Sequence, residues 1–260
     1  MGMLSYQRRL TTAVEETSLL VSALDDVDLS VPVPTCPGWT LNQLLRHLGF
    51  AHRWIEQVVR ERHPTADKSL SRAHSVDGFA GESAAELGPW LMEGVELFEK
   101  AMLGGIPDDV AVFVPGEPSH RFWSRRMAHE TWVHRYDAFH ALGLPFEIDR
   151  DVAWDAMYEW MLILLPIIHA RRPALGSLLG QGHRLRFFAT DYTSASSRWT
   201  VDLSGDVPMG RRDVEMRCSV YVRAPIADLV LMLYGRRRPA KSEVTGDKQL
   251  LREFIEAARF

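Results

Sequence analysis

Cysteine is nearly missing from this chain: Cys36 and Cys218 are the only two in 260 residues. Two thiols cannot knit a disulfide scaffold, and a reducing, cytoplasmic compartment is the expectation. Lysine is almost as scarce. Lys68, Lys100, Lys241 and Lys248 leave 26 of the 30 bases as arginine, and 34 acids bring the net charge to −4. No surplus of positive charge is available to grip nucleic acid. Long apolar runs are missing too. The greasiest stretch, Trp160 to Ile168, is nine residues interrupted by Pro166, against roughly 20 needed to span a bilayer. No membrane span is expected, and the opening MGMLSYQRRLTTAVEE has no apolar core of a signal peptide. Neither a glycine-rich phosphate or dinucleotide loop nor an internal repeat is visible.

What is present is a globular mixture, 46% hydrophobic and 25% charged, enough for one large domain or two ordinary ones. The first 170 residues read as helices. Residues 5–25 carry Leu10, Val14, Thr17, Val21 and Leu24 at a spacing of three to four. Pro32, Pro34, Pro37 and Gly38 then forbid a helix. Thr40 and Gln43 have the spacing of a capping box, and apolar periodicity runs from Leu41 to Val59, with His63-Pro64 as its stop. A third helix is expected over 83–103, shortened or kinked at its start by Gly88-Pro89. A fourth is expected over 120–142, ended by Gly143 and Pro145. Four such helices suggest a bundle occupying 1–148. After a helical connection at 149–172 the texture changes. HRLRFFATD, SRWTVDLSG and VEMRCSVYVRA read as strands, and Ile226–Tyr234 and Asp247–Arg259 as helices. An α+β domain over 149–260 is the expectation, making the whole an α+β chain of two domains.

Helical geometry selects the chemistry. With Leu44 at zero on the second helix, His47 falls at about −60°, inside the apolar stripe, and His52 near +80°, just outside it. On the fourth helix, with Glu130 at zero, His134 lies near 40° and Asp137 near −20°, on the same side as Trp123 and Met127. A carboxylate on an apolar face needs a partner, because an isolated buried charge is very costly. Arg126 is one candidate. A divalent cation is the other, since Glu130 and His134 at i, i+4 can grip one ion. His129 points about 140° away from His134, so HETWVH is no zinc-protease motif. A third ligand must come from another helix, and His47 is the best placed. Two imidazoles and one carboxylate leave an open position, as catalytic sites do. Cys36 has no basic neighbour in sequence to activate it, and Cys218 reads as core filler within a strand.

Three separated motifs carry a resemblance. Thr35-Cys36-Pro37-Gly38-Trp39-Thr40 with Leu44-Leu45-x-His47-Leu48, then Arg126 through Ala138, and then Ala227-Asp228-Leu229-Val230-Leu231, Tyr234-Gly235-Arg236 and Val244-Thr245-Gly246-Asp247 resemble the mycothiol-dependent maleylpyruvate isomerase family. The resemblance implies a DinB-like four-helix bundle followed by a smaller, sterol-carrier-like α+β domain. It implies a divalent metal, usually zinc, on His47, Glu130 and His134, and an active-site arginine at Arg236 that also serves the cosubstrate. It implies mycothiol, the thiol of actinobacteria, as cosubstrate, and a small electrophile as substrate, in an isomerase or S-transferase. A metal-activated hydrolase with Asp137 or another carboxylate as base, and a non-catalytic ligand-binding protein, are the alternatives. Both cysteines are expected to be dispensable for turnover, and the sequence leaves the oligomeric state open, a monomer included.

Overall fold

The computed structural model describes residues 3–62, 81–105, 110, 118–193, 197–212, 216–240 and 243–259. Two compact units emerge, 4–147 and 148–260, the latter with residues 1–3.

The first unit is built from α1 (Tyr6–Ser22), α2 (Leu41–Arg60), α3 (Ala84–Leu103) and α4 (Ser119–Ala141). Each helix packs on two others in the cyclic order α1, α3, α2, α4, which closes a four-helix bundle. The expected capping box starts α2: the Thr40 N–H donates to Gln43 Oε1 at 2.9 Å, and the Gln43 N–H donates to Thr40 Oγ1 at 3.4 Å. At its other end α2 stops at Arg60; the expected stop, His63-Pro64, lies outside the described residues. The third helix covers nearly its expected span, and only the expected shortening needs correction. Pro89 sits inside α3 without shortening it. Glu86 accepts from the Ser83 N–H and hydroxyl, both at 2.8 Å, which secures the first turn. Pro89 deprives only the Ala85 carbonyl of a partner, and Ala85 is exposed, so water can replace the missing donor.

Helix α4 is the centre of the bundle and is buried almost all round, charged residues included. Arg135 shows how such burial is made tolerable. Its Nε donates to Glu16 on α1 at 2.5 Å, its Nη2 donates to the Glu147 carbonyl at 2.6 Å, and its guanidinium lies over Phe146.

The second unit begins with α5 (Arg150–Arg171), helical throughout but with a π turn at Trp160–Leu164. By length, and by a mean hydropathy of 1.2 over its most apolar 18 residues, it could cross a bilayer, yet 72% of that stretch is buried within the protein, as suits a core helix. A five-stranded sheet follows: β1 (Arg184–Ala189), β2 (Arg198–Asp202), β3 (Met209–Arg212), β4 (Val220–Ala224) and β5 (Val244–Gly246), in the order β3-β2-β1-β4-β5. Among the described strands only β1 and β4 run parallel, with Phe187 opposite Val222; Phe187 also faces Trp199 across the antiparallel β1–β2 pair. Alternation puts Leu185, Phe187, Trp199, Val201, Val220 and Val222 in the core. The crossover from β4 to β5 carries α6 (Ile226–Leu233), and α7 (Lys248–Ala257) closes the chain. The expected strand at 214–224 begins only at Val220, so Cys218 precedes it, buried, its thiol near the Met216 carbonyl.

Candidate metal centre

Three side chains from two helices of the first unit meet at one point. Glu130 Oε1 lies 3.1 Å from His47 Nε2 and 3.2 Å from His134 Nε2. The two imidazole rings stand 5.0 Å apart, nearly perpendicular. Glu130 and His134 are there because i and i+4 share a helical face, and His47 because α2 packs on α4.

The donor set fits a divalent ion. An ion held at about 2.0–2.1 Å in tetrahedral geometry spaces its ligand atoms about 3.3 Å apart. Tautomers point the same way. Asp137 Oδ2 accepts from His134 Nδ1 at 2.9 Å, which leaves the Nε2 lone pair facing a carboxylate oxygen. Two acceptors at that distance repel unless a cation, whether proton or metal, stands between them. The surroundings of His134 favour such a positive charge. Burial alone would lower the pKa of His134, but the charge of Glu130 and hydrogen bonds with Asp137, Cys36 and Glu130 hold it well above the ordinary value. Burial alone would raise that of Glu130; the charge of His134, its hydrogen bond and that from His47, then Arg126, hold it well below.

Of the two partners expected for Glu130, the arginine is in place. Arg126 Nη2 sits 3.4 Å from Oε2, while Oε1 turns to the imidazoles. Asp137 is wholly buried and holds the His134 ring in one tautomer, the arrangement common behind metal-bound imidazoles. His52 is turned away, its Nε2 meeting Thr131 Oγ1 at 2.9 Å. His129 accepts from the Trp132 indole N–H at 3.1 Å.

Cys36 and Trp39 were not placed at this site from sequence. Cys36 Sγ lies 3.3 Å from Asp137 Oδ2, and Trp39 packs its ring 5.0 Å from that of His47. Cys36 therefore has no basic neighbour along the chain but stands beside Asp137 and His134 in space. Its position just ahead of the helix that bears His47 was the one available signal. Arg236 belongs to the second unit, where it follows Gly235 (φ +72°) and donates from Nη1 to the Tyr234 carbonyl at 2.9 Å.

A metal-ligand tripod inside a helical bundle, followed by a small mixed sheet, defines a two-part α+β protein with a candidate metal centre in its first half. The model of the mycothiol maleylpyruvate isomerase N-terminal domain matches residues 10–139, and that described as the MDMPI C-terminal domain matches 151–253. The chain belongs to this family. Two solved structures share the fold: the mycothiol-dependent maleylpyruvate isomerase (TM-score 0.59) and a histidine-to-alanine variant of it (TM-score 0.62). Each is 16% identical over 95% of this chain and 96% of the other. No curated protein matches the sequence.

Proposed function

We propose that this protein is a metal-dependent enzyme that uses mycothiol to act on a small electrophile, as an isomerase or S-transferase. The observation that carries the reading is the convergence of His47, Glu130 and His134 within 3.1–3.2 Å contacts in a chain of this family. These residues would hold one divalent ion, with zinc suited to two imidazoles and a carboxylate. An ion there would supply, at neutral pH, an ionised thiol able to add to an electrophilic carbon and then leave or stay.

The chain's own residues set the conditions. Glu130 offsets the charge of the ion, and Arg126 behind it limits how much negative charge the carboxylate brings. Asp137 is assigned the part of orienting His134, because its buried carboxylate is already engaged there. Arg236 is assigned to an anionic group of substrate or cosubstrate, for which the guanidinium fork is suited. Its neighbour Arg237 is already bound to Asp228 and Glu243, and Arg238 is exposed. A cytoplasmic setting suits two free cysteines.

The test is metal analysis of the purified protein, followed by turnover of an unsaturated keto-dicarboxylate with and without mycothiol. One ion per chain and activity that vanishes without the thiol are expected. Metal with thiol-independent hydrolysis would replace the reading with that of a hydrolase; absence of metal would overturn it.

A further inference from the structure

The Cys36-Pro37-Gly38-Trp39 motif has no part in the chemistry so far, yet both of its large side chains face the metal ligands. We propose that this loop is a clamp on the two histidines: Cys36 and Trp39 are positioning residues, one fixing His134 through Asp137, the other backing His47. The inference rests on the metal reading above and adds to it the machinery that holds the imidazoles still.

The loop is built to be rigid. Val33 N–H donates to the Trp39 carbonyl at 2.9 Å, Cys36 N–H to the Val33 carbonyl at 3.0 Å, and Trp39 N–H to the Cys36 carbonyl at 3.0 Å. Leu41 N–H donates to the Val31 carbonyl at 2.8 Å, tying the loop to the first turn of α2. Gly38 takes φ +86°, a conformation other residues adopt only under strain. Cys36 and Trp39 also pack against the leucine core formed by Leu41, Leu44, Leu45 and Leu48.

Each histidine is then held from behind. The Cys36 thiol donates to Asp137 Oδ2, the same oxygen that accepts the Nδ1–H of His134. An oxygen pinned by two donors cannot swing away and release the ring. His47 lacks such a carboxylate: among the described residues its Nδ1 meets no hydrogen-bond partner. The Trp39 ring, 5.0 Å away and inclined at 54°, supplies the missing restraint. In this arrangement Cys36 works as a thiol, through its proton, and not as a nucleophile.

The experiment is a metal titration that needs no turnover. Metal-free wild type, Cys36→Ala, Cys36→Ser, Trp39→Leu and a Cys218→Ser control are titrated with Co²⁺ by visible absorption. Zn²⁺ affinity is measured against a chromophoric chelator. Cys36→Ala and Trp39→Leu should weaken binding by roughly 10–100-fold, the usual cost of losing support behind a ligand, and alter the Co²⁺ spectrum. Cys36→Ser keeps a donor and should stay within about threefold of wild type. Cys36→Val, which fills the volume without a donor, replaces Cys36→Ala if circular dichroism shows the smaller side chain unsettles the fold. Wild type binding one ion, with both Cys36→Ala and Trp39→Leu binding as tightly and with an unchanged spectrum, would overturn the clamp and leave the metal reading intact. Wild type binding no ion would overturn the metal reading itself, and the clamp with it.

Discussion

His47 and His52 sit five residues apart on one helix and are put to different uses by their surroundings. His47 keeps a partly exposed ring aimed at Glu130. His52 is sealed in the core, stacked on Phe98, with its Nε2 at Thr131 Oγ1. Since the Thr131 hydroxyl donates to the Met127 carbonyl at 2.7 Å, His52 must donate, which leaves its buried Nδ1 unpartnered. His47→Ala should therefore strip the metal while His52→Leu retains it; the reverse pattern in metal analysis would move the ligand from His47 to His52. Burial also drives the pKa of His52 down to about 3, despite the opposing charge of Glu130. The unfolded chain takes up a proton near pH 6.5 that the folded one refuses. This contribution to stability is complete above pH 6.5 and is lost as pH falls toward 3, at about 1.4 kcal/mol per pH unit. Urea unfolding of wild type and His52→Leu should agree within about 1 kcal/mol at pH 7. They should then diverge on acidification, with the variant losing less. Parallel curves would mean that His52 is not kept neutral by the fold.

At the scale of elements, close approach decides where the chain needs glycine. A Cβ on Gly210 of β3 would stand 2.1 Å from the Met161 carbonyl oxygen, in the π turn of α5. The obstacle is backbone and cannot rotate aside. Gly210→Ala should cost roughly 2 kcal/mol or more, read as a lowered urea midpoint; an unchanged midpoint would mean that β3 can slide off α5 freely. No pattern in the sequence announced this contact, because β3 is four residues of Met-Gly-Arg-Arg with no alternation to detect. The helices were legible for the opposite reason: α1 and α2 repeat an apolar stripe over many turns, and α4 carries Trp123 and Met127 at helical spacing. Glu130, His134 and Asp137 could be read from α4 because each is a charged or polar residue on the same side as those apolar ones. Cys36 and Trp39 could not, because a loop has no period and only the folded chain shows which helix it lies against. Pro89 misled because a proline rule for helix interiors was applied to a site where the freed carbonyl is exposed to solvent.

Across the whole molecule, charge is divided unevenly. Residues 4–147 carry 13 bases and 20 acids, while 148–260 carry 17 bases and 14 acids. All three proposed metal ligands belong to the acidic unit, where carboxylates suit a cation. An anionic substrate would find its natural partners in the basic one, and this gives the assignment of Arg236 its electrostatic basis. Within the Gly235-Arg236-Arg237-Arg238 run the three arginines are not equivalent. Arg237 is committed to Asp228 and Glu243, so its loss would act on stability. Arg238 is exposed, and its loss should change little. Arg236 is half-buried, its guanidinium fixed by the Tyr234 carbonyl. Losing a charge-assisted hydrogen bond to substrate costs about 1.5–3 kcal/mol, which corresponds to at least tenfold in kcat/KM. Arg236→Ala should show that loss with metal content and thermal midpoint preserved, and Arg236→Lys, lacking the planar fork, should restore only part of it. Equal, small effects of Arg236→Ala and Arg238→Ala on kcat/KM would reduce the run to surface charge and remove Arg236 from the proposed function.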